Sequence, residues 1–156
     1  MIGQRVAALL ASAENREADM ADFVATHRIT HEASMKMLAA GVAKANEIGC
    51  KISLAVVDSS GQLIAFLMMD GARFFSGRTT IKKAITSASQ RLATGYAPEA
   101  NVLSMQIRMD GDFTNVPGGL PVVVHGETIG GVGAGGATSE EDLIVARAAL
   151  AALDLP

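Results

Sequence analysis

The stretch Lys51-Ile-Ser-Leu-Ala-Val-Val-Asp-Ser-Ser-Gly-Gln-Leu-Ile-Ala-Phe-Leu-Met-Met-Asp-Gly71 decides the fold. Two apolar runs, Ile52–Val57 and Leu63–Met69, flank the polar segment Asp58-Ser59-Ser60-Gly61-Gln62. Short apolar runs bounded by turn residues read as strands, and a brief glycine-containing gap joins them as a hairpin. Asp58 and Ser59 can hydrogen-bond their own backbone, and Gly61 can take a positive φ. Both runs are apolar on both faces, so the rest of the chain is expected to cover the sheet on each side.

The flanking segments supply that cover. Thr30 is placed to cap a helix from His31 to Gly49, with Met35, Leu38, Val42, Ala45 and Ile48 as its core stripe. After the hairpin, Ser76 or Thr79 is expected to cap a helix carrying Ile81, Ala84, Ile85, Ala88 and Leu92, with Lys82 and Lys83 off that stripe and Gly95 as the stop. A short helix follows Pro98. Val122–Val124 and Thr128–Val132 read as a second hairpin turning on His125-Gly126-Glu127, running into the glycine-rich Gly130–Gly136. Thr138-Ser139-Glu140-Glu141 is a capping box opening a last helix with Leu143, Ala146, Leu150 and Leu153 inward. Locally joined strands with helices before, between and after them make an α+β, three-layer α-β-α sandwich on a central antiparallel sheet. The spacing divides the chain into a helical N-terminal arm, residues 1–28, and a single domain, residues 29–156.

Composition narrows the function classes. Of 156 residues, 49% are apolar and 19% charged, with aromatics at 4%, so Ala, Val, Ile, Leu and Met must build the core. A net charge of −3 lacks the basic footprint of a nucleic-acid binder. No apolar run reaches the roughly twenty residues of a membrane span, and Val6–Ala11 is too short for a secretion signal. The lone Cys50 excludes an internal disulfide and fits a cytoplasmic protein.

Several blocks together resemble a known family. They are Leu54–Phe66, then Met69–Ala72, Lys83-Ala84, Pro117–Val124, Gly126-Glu127, Ile129–Gly133, Gly135-Gly136 and Glu140–Leu150. These blocks are similar to the haem-degrading or haem-binding family once described as a domain of unknown function. It includes glycolate-utilisation accessory proteins and the C-terminal domain of some cobalamin adenosyltransferases. The resemblance covers about residues 30–153. It implies a profilin-like fold, assembly into dimers or larger oligomers up to octamers, and haem as a possible cofactor. His27-Arg28-Ile29-Thr30 resembles the segment before the first core helix of haem-binding members. His27 could therefore be an axial iron ligand, or simply a solvated residue. Members with an Asp/Glu-x-x-Glu iron site have no counterpart here, because Ser76–Lys83 holds no carboxylate.

Arg73, Phe74 and Phe75 follow the first hairpin where family members usually carry smaller residues. They could stack on and charge-pair with a planar anionic ligand, or form a subunit interface. Gly118, Gly119, Gly133, Gly135 and Gly136 could complete that site, or they could let helix and sheet pack closely. Arginine beside phenylalanine, with no nucleophile–base constellation, reads as a small-ligand site, and the resemblance implies an oligomeric ligand-binding protein accessory to a catabolic pathway. The alternative is an enzyme acting on a small organic acid or aromatic catabolite in the same cleft. His31 is the possible i, i+4 partner of His27. His125 reads as an exposed turn residue, Asp58 and Asp70 as turn residues, and Cys50 as a small hydrophobe.

Overall fold

The computed structural model describes residues 22–155. Most of the expected N-terminal arm lies outside these residues. Residues 22–30 form neither helix nor strand, and Phe23 and Val24 are exposed. The elements that follow are α1 (His31–Ile48), β1 (Ser53–Asp58), β2 (Leu63–Met68), α2 (Phe74–Gln90), α3 (Glu99–Arg108), β3 (Gly119–Val124), β4 (Glu127–Gly135) and α4 (Ser139–Leu150). The strands form one antiparallel sheet in the order β2-β1-β4-β3.

Alternation along the central strands splits the core. Leu54 and Val56 of β1 join Val122, Val132 and Ala134 beneath α1 and α4. Ala55 and Val57 point the other way, against Ala84 and Ala88 of α2. Every residue of β1 is buried, as its two-sided apolar pattern required. The edge strand β2 departs from that expectation. Leu63, Phe66 and Met68 stay exposed because α2 lies mainly over β1 and β4.

Local chemistry sets the helix ends. The Thr30 hydroxyl accepts from the Ala33 amide, and Gly49 closes α1 at φ 76°. Thr138 and Glu141 cap α4 reciprocally. The core stripes are shifted from the expected ones. In α1, Met37 and Gly41 turn inward with Leu38 and Ala45, while Met35 is exposed; Gly41 is needed because Leu54 lies against it. In α4 the fully buried set is Asp142, Val145, Ala146 and Ala149; of the expected stripe Ala146 is buried, and Leu150 and Leu153 pack half-buried against the core.

The second helix brings two further corrections. Arg73 is its N-cap, so Phe74 and Phe75 form its first turn rather than a loop, and the expected caps Ser76 and Thr79 lie inside. It ends at Gln90 with Arg91 in the left-handed region, before Gly95. Its buried face is small and polar: Ser76, Gly77, Thr80, Lys83, Ala84, Thr86, Ser87 and Ala88.

The glycines explain that face. Gly130–Gly135 belong to β4, and the loop expected from Gly133 onward is strand through Gly135. A Cβ on Gly131 would strike the Ala84 carbonyl, one on Gly133 the Thr80 carbonyl, and one on Gly119 the Lys83 carbonyl. The helix therefore rests directly on bare backbone, and larger side chains on its inner face would lift it off.

Candidate functional site

The two ends of β4 carry different chemistry. At its first residue, Glu127 Oε2 lies 2.8 Å from His27 Nδ1, and Glu127 Oε1 accepts from the His27 backbone amide at 3.3 Å. These hydrogen bonds, the side-chain one foremost, hold the Glu127 carboxyl below its ordinary pKa. A carboxylate accepting from Nδ1–H fixes the imidazole tautomer and leaves Nε2 as the lone-pair donor. The His27 side chain is 77% exposed.

Beside this pair opens a basin of about 830 Å³, within the usual range for small-ligand sites. Ser59, Ser60 and Gly61 line it from the first hairpin tip, and His125, Gly126, Glu127 and Thr128 from the second. Ile85, Ala88, Ser89 and Arg91 contribute from the end of α2, and Thr26 from the entering chain. Asp58 shapes the first tip: its Oδ1 accepts from the Ser60 and Gln62 amides, and its Oδ2 lies 3.8 Å from Arg28.

At the far end of β4, about 25 Å away at roughly 3.3 Å per residue, Lys83 is buried. Its Nζ donates at 2.8 Å to both Asp142 Oδ2 and the Ala134 carbonyl, with the lysine 1% and the aspartate 3% exposed. Asp142 Oδ1 accepts from the Ala137 amide. The pair thus ties α2, β4 and α4 together. Thr80 Oγ1, buried nearby against Gly135, lacks a hydrogen-bond partner.

A second cleft of about 380 Å³ opens at this end, lined by Cys50, Lys51, Gly71, Arg73, Gly136, Ala137, Thr138 and Glu141. The amides that could have received an anion here are already occupied. Ala137 donates to Asp142 and Thr138 to Glu141. Glu141 is held below its ordinary pKa by these contacts with Thr138, the backbone one first. Burial, then the Glu141 and Asp142 charges, push the Cys50 thiol up, so it stays protonated and is a poor nucleophile.

Residues 29–151 match the family described as "Haem degrading protein HbpS-like". The chain belongs to the HbpS-like family. It is 35% identical over 127 residues to an uncharacterized 15.0 kDa protein of the dhaT-dhaS intergenic region of Citrobacter freundii, covering 78% of this chain and 89% of that one. Among solved structures it resembles Klebsiella pneumoniae ORFY at 29% identity and a TM-score of 0.80, covering 85% of this chain and 95% of that one. PduOC, solved as a haem complex, shares the fold at 23% identity and a TM-score of 0.75, over 83% of this chain and 97% of that one. The family and that complex support haem as a ligand of this fold.

The HbpS-like scaffold separates the residues singled out from sequence. Arg73 and Gly136 meet at the small cleft. Phe74 and Phe75 are exposed, with ring centroids 4.3 Å apart. Gly118, Gly119, Gly133 and Gly135 are buried against α2, α4 or the Lys83 amine, where their lack of a side chain permits packing. His27 stands at the opposite end, so within one chain it cannot share a ligand with Arg73–Phe75. His31 faces Glu32 at 3.2 Å, and the chain around His27 is not helical, so the i, i+4 pairing does not form. His125 is exposed at its tip, as expected, yet also lines the basin. Glu127 and Arg91 were not foreseen as site residues. Nothing local marks them, because the two hairpin tips and the end of α2 meet only through the sheet order. Among the described residues no cluster of three or more His, Cys, Asp or Glu could hold a bare metal ion. The donors present suit an iron that arrives with its own equatorial ligands, as haem iron does.

Proposed function

We propose that this chain is an oligomeric, cytoplasmic haem-binding protein, accessory to a catabolic pathway, with His27 Nε2 as an axial iron ligand. The observation that carries this reading is the His27–Glu127 pair. It presents an exposed imidazole, its tautomer fixed by Glu127, and both Glu127 and the preceding Thr26 line an open basin. Bound haem would supply a Lewis-acidic, redox-active iron within a planar, largely apolar macrocycle bearing two carboxylates. The chain's own part is to hold it: His27 at the iron, Glu127 behind the imidazole, and Ile85 and Ala88 as apolar floor.

Family membership supports the ligand class. No described helix is long and apolar enough to cross a membrane. Exposed Phe66, Met68, Phe74 and Phe75 favour contact with further copies of the chain. In such an assembly Arg73–Phe75 and Gly136 of one subunit could border a ligand held by another. The cleft of Arg73, Lys51 and Thr138 favours a second reading, an enzyme taking a small organic acid.

Titration of the purified protein with haemin tests the first reading. A saturable Soret shift is expected for the native chain and is lost in His27→Ala. The absence of a shift at stoichiometric haemin overturns it. Elution as a monomer of 16.1 kDa on size exclusion would refute the oligomer separately.

A further inference from the structure

The basin carries one positive charge that no carboxylate among the described residues answers. Arg91 sits on its wall, immediately past the end of α2. The nearby carboxylates are engaged elsewhere: Glu127 with His27, and Asp58 with Arg28 and the turn amides. Among the described residues no carboxylate lies within ion-pair distance of Arg91.

Arg91 also holds an uncommon backbone. Its φ is 58°, and His125 across the basin has φ 49°. Of the three described non-glycine residues with positive φ, these two line the same cavity. Outside glycine, left-handed backbone favours Asn, Asp and His, so His125 suits its position while Arg91 is the uncommon one, and Arg91 is not needed there for packing, since it is exposed.

We propose that Arg91, assisted by a ring nitrogen of His125, is the carboxylate-recognition group of the basin. It would select a ligand carrying a peripheral carboxylate over the same ligand uncharged. The proposal rests on the haem reading above and adds which end of the ligand the protein distinguishes. The electrostatics make Arg91 decisive. The carbonyl end of α2 carries roughly half a negative charge, so a carboxylate beside it is repelled unless a full positive charge intervenes. A guanidinium can meet both carboxylate oxygens at once. Ser59, Ser60 and Ser89 on the same walls can hydrogen-bond to any remaining lone pairs.

The test compares haemin with haemin dimethyl ester, whose carboxylates are masked, by Soret titration at one pH and ionic strength. Native protein is expected to bind haemin about tenfold or more tightly than the ester, the scale of a hydrogen bond to a charged group. Arg91→Gln should erase that preference while leaving ester affinity unchanged. Arg91→Lys should restore part of it. Arg78→Gln, an exposed arginine of α2 outside the basin lining, should behave as native. Unchanged melting curves show that the variants fold. The proposal is overturned if native protein does not prefer haemin, or if Arg91→Gln keeps the native preference. If His27→Ala binds both ligands as tightly as native while the Arg91 dependence persists, the iron-ligand reading falls and the carboxylate site stands. If native protein binds neither ligand, both fall.

Discussion

At the Gly135 end of β4, charged and polar groups are turned on one another: Lys83 on Asp142, and the Ala137 and Thr138 amides on Asp142 and Glu141. At the Glu127 end, Arg91 lines an open basin, and the exposed imidazole of His27 is bonded to Glu127 of the same basin wall. One strand thus joins a region whose polar groups hold three layers together to a region whose polar groups remain available. Polar residues inside a fold do not by themselves mark a ligand site; what matters is whether their partners are already present.

The sharpest way to break this contrast is Lys83→Met. It leaves Asp142 buried without its cation, and loss of one partner of a buried pair costs about 3–5 kcal/mol. Urea unfolding should show that loss, while haemin affinity per folded molecule stays native. The double variant Lys83→Met/Asp142→Leu should recover most of the stability, because no buried charge remains. A loss below about 1 kcal/mol in Lys83→Met would show that the pair behaves like a solvated one, and the contrast between the ends would collapse.

The same substitution at glycines of the two ends gives a smaller effect. Gly133→Ala drives a methyl into the Thr80 carbonyl and should cost about 1–3 kcal/mol, as overpacking does. Gly126→Ala at the second tip meets open space and is opposed only by its φ of 80°, a penalty of about 1 kcal/mol. Thermal melts of the two variants side by side check the ranking. An equal or reversed order would mean that α2 is not pressed onto the β4 backbone.

These effects also mark how far the sequence could be read. The hairpins, the Thr30 and Thr138 caps and the three layers were legible, because apolar period, turn residues and capping chemistry are local signals. On the inner face of α2, Ala84 and Ala88 were legible as core and Lys83 was not. The lysine looks like a solvated residue in any helical projection, and only Asp142, distant in sequence, makes its burial tolerable. Phe74 and Phe75 were taken for loop because no side-chain cap precedes them, and the helix starts at Arg73 without one. Of the candidate site, His27 was legible through the resemblance of its segment. Glu127 and Arg91 were not, since their meeting with it depends on β4 lying in the sheet interior.

Glu127→Gln sharpens the open end. The amide oxygen can still accept from His27 Nδ1–H, but it lacks the charge that raises imidazole basicity. Haemin affinity should weaken by about 10–100-fold, the usual cost of altering a carboxylate behind a ligating histidine. The melting temperature should fall only slightly, because the lost contact is between solvent-facing side chains. Native affinity in this variant would mean that Glu127 does not orient the ligand.

The smallest effect comes from acid titration, where the two ends can be compared through one residue type. Glu127 and Glu141 are both held below the ordinary glutamate pKa, by His27 and by Thr138 respectively. A carboxyl lowered in the folded state contributes stability that is complete above its unfolded pKa and is lost as pH falls through the folded value. Both therefore add to an acid-side decline, and salt should flatten it because both are solvent-facing. Thr138→Ala removes the hydroxyl and its bonds in the α4 capping box. At neutral pH it should cost about 1 kcal/mol, as loss of an N-cap does. Below the carboxylate range the gap between the native chain and Thr138→Ala should narrow without closing, since protonated Glu141 no longer strengthens the box while the Thr138 hydroxyl still accepts from the Glu141 amide in the native chain. Glu127→Gln should remove only the His27-dependent part of the decline and leave the Thr138-dependent part in place. Urea midpoints measured across the acid range separate the two. If Glu141→Gln retains the full native decline, Glu141 is not the group titrating there, because that variant removes the carboxyl held by the Thr138 amide and hydroxyl.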